Sequence, residues 1–178
     1  MITFRKMTLD DQQMVMQWRT MPEVSQYMVT DVAPELDKQI VWFNKVSSDP
    51  SCLYLIIKYN DVPIGVINLA CIDEINRRCT AGYYIGELTY RSVGAIIPAY
   101  IYNYVFCSLK LNKIYGEVLE ENAGVMRLHT MYGYETVGVL RQHVFKNNKF
   151  HNVVMMELLS DVWEKQKKYK KYLAVIEF

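Results

Sequence analysis

A mixed α/β (α+β) fold is what this sequence predicts, with a central, mostly antiparallel sheet of about seven strands and helices on both faces. Two β-branched and aromatic runs, Leu53–Tyr59 and Val62–Leu69, flank the turn Asn60-Asp61. Two more, Glu135–Phe145 and Phe150–Leu158, flank Lys146–Lys149, so each pair reads as a hairpin. Between the hairpins one long apolar helical pattern, Ala95–Leu109, separates two strands and supplies the crossover that parallel neighbours need. At 178 residues and 51% hydrophobic content, the chain has the size and composition of one domain with a substantial core.

The elements follow from local chemistry. Ile2–Lys6 alternates apolar and polar residues, as a half-buried strand does. Thr8 is the N-cap of a first helix, with Asp10 and Asp11 set against the positive end of its dipole. Met14, Val15 and Trp18 form that helix's apolar face, and Pro22 marks its stop. A second helix opens at Pro34-Glu35 and runs to Val46, turning Ile40, Trp42 and Phe43 inward. After the first hairpin a polar segment, Asp73–Arg78, leads to a strand at Thr80–Ile85. Gly86–Gly94 is a loop, and the long helix follows with Pro98 in its first turn, where a missing N–H costs little. Lys113–Leu119 is a strand and Ala123–Met131 a short helix; a final amphipathic helix starts near Ser160-Asp161. No linker, repeat or low-complexity segment interrupts the order.

Twenty basic residues against nineteen acidic leave almost no net charge. A nucleic-acid binder shows a basic excess, so nucleic acid is not an expected partner. The basic run Lys165–Lys171 reads as a solvated face of the last helix. No apolar run reaches membrane-spanning length, and Met1–Lys6 begins a strand rather than a signal peptide, so no membrane partner is expected. Cys52, Cys71, Cys79 and Cys107 lack CxxC spacing and read as reduced, mostly packed thiols of a cytoplasmic protein. His129, His143 and His151 have no ligand spacing, and no metal is expected. Tyr169 and Tyr172, read as exposed aromatics, fit either a homodimer contact or packing on the sheet.

The loop Glu87–Ala95 joins a strand to the long helix. The first amides of a helix have no internal partners, and its dipole favours negative charge there. Arg91 adds a cationic donor, and Gly94 admits a close backbone approach by a phosphate. A plain loop carries the same residues, so order and spacing have to decide. Arg91 and Gly94 resemble the cofactor loop of the GNAT superfamily of acetyltransferases, whose third marked position, a small residue there, is Ile96 here. Asn122, His129 and Gly133-Tyr134 stand at the offsets of that family's Asn, Tyr and Gly-aromatic pair after its fifth strand. The likeness runs from Phe4-Arg5 to Glu157. It implies a single acetyltransferase domain over residues 1–178, acetyl-CoA as co-substrate and direct transfer of acetyl to an amine.

In that family the fourth and fifth strands part, and pantetheine enters between them like an extra strand. The resemblance implies that the backbone of Tyr84 and Ile85, with Tyr83, meets pantetheine, and that Arg91, Ser92, Val93, Gly94, Ala95 and Ile96 surround the pyrophosphate. For the side chains of Tyr83 and Tyr84, strand packing is the plainer reading. Asn122 pairs with pantetheine, caps the helix that follows, or does both. His129 stands where relatives place a Tyr that protonates the leaving thiolate. A histidine, with an unperturbed pKa of about 6.5, can donate the same proton; the other reading is a surface or packing residue. Tyr132, on the same helix, is a rival acid. Asp73, Glu117 and Glu120 are the carboxylates open to the role of base. Glu117 lies inside a strand, where a carboxylate is either functional or on the exposed face. An already neutral amine attacking through a water chain needs none of them.

Three stretches, Trp18–Met28, Ile72–Gly86 and Arg141–Asn147, are similar to one branch of the superfamily, the N-acetyltransferases of pseudaminic acid biosynthesis. That branch acetylates the 4-amino group of a UDP-linked 4-amino-4,6-dideoxy-N-acetyl-altrosamine. The likeness implies a UDP-amino sugar as acceptor, faced by Arg19 and Met28, with Gln39 near a position where relatives have a histidine contact and Asp73 in the same pocket. Arginine's planar fork of donors suits a diphosphate or a uridine oxygen; a surface ion pair with Glu23 is the competing reading of Arg19. A protein N-terminus, an aminoglycoside or a polyamine are alternative acceptors. A non-catalytic module that binds CoA or a partner is the alternative of another class.

Overall fold

Eight strands form one sheet in the computed structural model, which describes residues 1–177. They are β1 Ile2–Lys6, β2 Leu53–Tyr59, β3 Val62–Asp73, β4 Arg78–Ile85, β5 Lys113–Leu119, β6 Glu135–Lys146, β7 Lys149–Leu159 and β8 Ile176–Glu177. Across the sheet the order is β6-β7-β5-β4-β3-β2-β1-β8. Only β4–β5 and β1–β8 run parallel. Seven of these strands are the expected ones; the eighth is too short to show a period and exists because it pairs with Phe4 and Arg5.

Both hairpins close where the turn residues said they would. Asn60 and Asp61 have φ of 48° and 65°, and Asn147 and Asn148 have 50° and 59°. Two consecutive left-handed residues make a turn whose twist matches that of the strands, and short polar side chains tolerate that conformation best.

The helices are α1 Gln12–Thr20, α2 Pro22–Ser25, α3 Leu36–Ser47, α4 Ile97–Asn103, α5 Ala123–Tyr132 and α6 Ser160–Glu164. A tight 3-10 turn, Leu9–Asp11, precedes α1, and there the Asp11 carboxylate accepts from the Thr8 amide at 2.7 Å. The Arg5 guanidinium grips the same carboxylate at 2.6 and 2.8 Å, tying the first strand to the first helix. Met7, Val15, Trp18, Ile56 and Val66 pack one face of the sheet under α1 and α3. The larger core fills the other face, where Ile97, Ile101, Tyr102, Tyr132 and Trp163 meet Leu55, Ile57, Ile67 and Ile114.

Three expectations need correcting. The segment read as a loop, Gly86–Gly94, is mostly a 3-10 coil, Leu88–Ile96, that runs straight into α4. The single long helix breaks at its other end too. Tyr104–Ser108 widens to a π turn, in which the Leu109 amide donates to the Tyr104 carbonyl at 3.0 Å. The final helix shrinks to one short turn followed by Lys167–Tyr169, so the basic run lies on irregular backbone. Tyr169 is buried, with its ring 4.7 Å from Tyr132 and 5.6 Å from Trp163, and Tyr172 sits 5.3 Å from Tyr100. Both rings therefore pack within the chain. The buried Asn103 amide secures that arrangement, donating to the carbonyls of Tyr169 and Tyr172 and accepting from the Trp163 indole.

All four thiols are unpaired, but only Cys79 is buried; burial pushes its pKa up to about 12. Cys71 and Cys107 are exposed rather than packed. Among the described residues no helix is long and apolar enough to cross a membrane.

Candidate active site

The parallel pair β4–β5 is joined at three positions only: Arg78 with Lys113, Cys79 with Ile114, and Thr80 with Tyr115. Beyond them the strands part. From Ala81 to Ile85, β4 keeps its antiparallel partner β3, and β5 from Gly116 onward keeps β7, so the two facing edges have no ladder partner. Backbone N–H and C=O groups left so in mid-sheet call for another chain-like partner. A cavity of about 1090 Å³ opens at this fork.

Glycine chemistry shapes it. A Cβ on Gly65 would lie 2.2 Å from the Tyr84 carbonyl oxygen, and one on Gly86 would lie 2.1 Å from the Trp18 ring. Bare backbone at these points lets β3 lie flush on β4 and lets α1 press its indole against the end of β4. The Trp18 indole then donates to the Glu87 carboxylate at 2.9 Å. At Gly94 an added Cβ would come within 3.0 Å of Ile85, so the coil sits directly on the strand.

The cavity is lined by Tyr84, Ile85, Arg91, Gly94, Ala95 and Asn122, six of the nine positions expected to meet the cofactor. Ser92, Val93 and Ile96 are not on its wall: Ser92 is exposed, and Val93 and Ile96 pack against the core. The Arg91 guanidinium is exposed and donates to the Glu23 carbonyl at 3.2 Å. Asn122 accepts from the Val125 amide at 3.3 Å, capping α5 while it lines the cavity. The rings of Tyr83 and Tyr84 are largely packed, and burial raises both phenol pKa values.

His129 lines the same cavity, stacked on Tyr134 at 4.5 Å with its Nδ1 3.4 Å from the Tyr102 hydroxyl. The Gly133 turn, left-handed with φ of 100°, ends α5 here and returns the Tyr134 amide to the His129 carbonyl at 3.0 Å. Burial lowers the imidazole pKa to about 4. Held that low, the ring is neutral at neutral pH and offers an N–H to a hydrogen-bond acceptor. Tyr132 lies outside the cavity, fully buried, with its hydroxyl donating to the Ala95 carbonyl at 2.6 Å; it braces the Leu88–Ile96 coil instead of facing the cavity.

The lowered His129 pKa also fixes a sign. The unfolded chain, with a histidine pKa of about 6.5, binds more protons than the folded one between that value and about 4. Stability therefore falls as pH falls through this window and rises with pH across it. Thermal unfolding midpoints measured from pH 7 to pH 4 should drop more steeply for the native chain than for His129→Gln. Equal slopes would mean that the ring is not held neutral.

Arg19, Met28 and Gln39, expected to face the acceptor, also line the cavity, with Asp31, Trp42 and Tyr54. Arg19 does not pair with Glu23. Its Nη2 donates to the carbonyl and hydroxyl of Thr30 at 2.8 and 3.1 Å, while its Nη1 is buried with no hydrogen-bond partner among the described residues. Gln39 is buried and spends its amide on Gln12 at 2.9 Å, which makes it a wall residue. Glu117 points into the cavity from β5 and is exposed there. Asp73 is elsewhere: it accepts from the Asn76 amide at 2.8 Å and from Arg78 at 3.4 Å, closing the β3–β4 turn. Glu120, bonded to Asn152 at 2.9 Å, also lies off the cavity wall. Sequence reasoning missed Asp31, Tyr54 and Tyr102 on the wall; Tyr102 looked like any core aromatic of a helix, and nothing in its spacing set it apart.

A mixed sheet forked between two parallel strands, with a glycine-seated helical coil beside a cavity of about 1090 Å³, is a framework with room to bring two substrates together. Residues 1–135 match the model of the acetyltransferase (GNAT) domain, and the chain belongs to that family as an acetyl-CoA-dependent N-acetyltransferase. It is 30% identical over 165 residues to the uncharacterized N-acetyltransferase p20 of Bacillus licheniformis, covering 89% of this chain and 92% of that protein. Acetyltransferase PseH of Campylobacter jejuni (strain 81-176) is 25% identical over 126 residues, which cover 71% of this chain and 78% of PseH. The crystal structure of spermidine N-acetyltransferase from Vibrio cholerae in complex with CoA and spermine superposes with a TM-score of 0.85 at 21% identity, over 92% of this chain and 98% of that one. At that identity the likeness is one of fold.

Proposed function

We propose that the chain, acting as one acetyltransferase domain in the cytoplasm, transfers acetyl from acetyl-CoA to the 4-amino group of a UDP-linked amino sugar in pseudaminic acid biosynthesis. The observation that carries this reading is Arg19. Its side chain lines the cavity while its Nη1 is buried with no hydrogen-bond partner among the described residues, and Asp31, the carboxylate that acts on it, is already engaged by Lys146 at 2.6 Å. A desolvated guanidinium with a free donor is suited by an acceptor that carries oxygen acceptors or negative charge. The three stretches similar to the pseudaminic branch and the 25% identity to PseH support the same reading.

In this proposal the free edge of β4 at Tyr84 and Ile85 pairs with the amides of pantetheine, and the amides of the Arg91–Ile96 coil meet the pyrophosphate with the Arg91 guanidinium. Asn122 adds a contact from the α5 cap. The amine nitrogen attacks the thioester carbonyl carbon, the C–S bond breaks, and the His129 N–H hydrogen-bonds the departing sulfur, which takes its proton from solvent. Glu117 accepts the proton that the amine gives up. Holding two bound substrates in register supplies most of the rate.

A second reading has one observation in its favour: Glu23, Glu117 and the Lys146-paired Asp31 place three carboxylates on the cavity wall, which suits a polyamine. Release of CoA from acetyl-CoA, measured with the UDP-linked 4-amino sugar, spermidine, an aminoglycoside and an N-terminal peptide, separates the two. Turnover on the sugar nucleotide, with free UDP competing against it, is the expected result. Turnover confined to spermidine would overturn the assignment and leave the family intact.

A further inference from the structure

We infer that Lys146, in the β6–β7 hairpin, is a positioning residue that holds the acceptor wall of the cleft; the inference rests on reading the cavity wall around Arg19 as the acceptor site. A lysine in a hairpin turn is ordinarily solvated. This one has a side chain only 4% exposed, and its ammonium reaches across the molecule to the segment between α2 and α3. It donates to the Ser25 carbonyl at 2.8 Å, the Met28 carbonyl at 2.9 Å and the Asp31 carboxylate at 2.6 Å. An ammonium has three N–H donors, and all three are used. Ser25 ends the short helix α2, and its carbonyl, which accepts from the Met28 amide at 3.0 Å, takes the ammonium as a second donor.

What this clamp holds is the cleft wall. Met28, Thr30 and Asp31 all line the cavity, and Thr30 is the residue on which Arg19 rests. The segment is thus fixed from two sides, by α1 through Arg19 and by the hairpin through Lys146. The hairpin end is itself anchored, since the His151 ring lies between the Glu121 carboxylate at 2.8 Å and the Lys146 carbonyl at 3.1 Å. Asp31 is paired with Lys146, which leaves the Arg19 guanidinium without a carboxylate partner among the described residues. Lys146 touches neither reacting group; it acts through the wall.

Hydrogen–deuterium exchange of the full chain with and without acetyl-CoA tests this without any acceptor. In Lys146→Met the amides of residues 25–33 should exchange about tenfold faster or more, for the loss of three buried hydrogen bonds, while β4, β5 and α5 keep their protection. Asp31→Asn, at a more exposed position, should give the same pattern more weakly, and it serves if Lys146→Met does not fold. Steady-state kinetics on whichever amine the native chain acetylates should show the acceptor KM raised about tenfold with acetyl-CoA KM and kcat held, and Lys146→Arg should recover most of the loss. Unchanged exchange at residues 25–33 would overturn the inference. So would loosening spread over the whole sheet, or a fall in kcat with both KM values altered, because either marks a general structural role. Failure of the sugar-nucleotide assignment alone would leave the exchange result standing.

Discussion

Replacing Gly65 with valine is expected to abolish CoA binding and to destabilise the fold by about 4 kcal/mol or more. An added Cβ would lie 2.2 Å from the Tyr84 carbonyl oxygen and 3.0 Å from the Ile85 Cα, both backbone atoms that no rotamer change can move. The only relief is to push β4 away from β3, and β4 is the strand whose other edge faces the fork. The ladder that holds Tyr84 and Ile85 in place would break on the side it still has. Gly116→Ala is the matched control: a Cβ there meets nothing within 4 Å, although Gly116 lies on β5 at the same fork. It should change stability by no more than about 0.5 kcal/mol. Urea unfolding with calorimetric titration of CoA reads both variants. Tight CoA binding by Gly65→Val would mean that the β4 edge is not where the cofactor lies.

The second large effect is expected at Arg19. In Arg19→Met, kcat/KM for the sugar nucleotide should fall by about a hundredfold or more, roughly 3 kcal/mol, while KM for acetyl-CoA stays within about twofold. The guanidinium holds Thr30 with one nitrogen and keeps the other buried and free, so its removal costs both the wall contact and the donor. Lysine restores the charge as a single point but not the fork, and Arg19→Lys should regain only part of the loss. A polyamine acceptor predicts the reverse sign, since deleting a cation from the cavity wall would improve binding of a polycation. An unchanged or improved kcat/KM would therefore remove the sugar nucleotide from consideration.

Much of the fold was readable because it is written in local periods. The β2–β3 hairpin follows from two alternating runs around Asn60-Asp61, and the β6–β7 hairpin from the pair Asn147-Asn148. The site was half readable. Arg91, Gly94, Asn122 and His129 fall on the cavity wall because the offsets that suggested them are also the spacings of one coil and one helix end. Tyr132 and Asp73 misled for opposite reasons. Tyr132 lies only three positions from His129, which is near one helical turn, but its hydroxyl is drawn to the Ala95 carbonyl on another element. Asp73 is a free carboxylate in the sequence and a turn cap in the structure. Burial, which sets the His129 pKa near 4, depends on Tyr134, Tyr102 and the sheet behind them, and no neighbouring residue announces it.

By itself, then, the sequence determined the strands and their hairpins, the parallel crossover through Pro98, the cap at Asn122 and the family, because each rests on residue chemistry and on spacing along a few turns of chain. Tertiary structure alone decided that β4 and β5 part after Thr80 and Tyr115, that of the three candidate carboxylates Glu117 faces the cleft, that Ile176–Glu177 joins β1, and that a hairpin lysine clamps a loop more than a hundred residues away. The physical reason is the same in each case. A period along the chain tells which face of an element is apolar, whereas an unpaired edge, a desolvated charge or a satisfied ammonium is made by groups that meet only when distant segments pack.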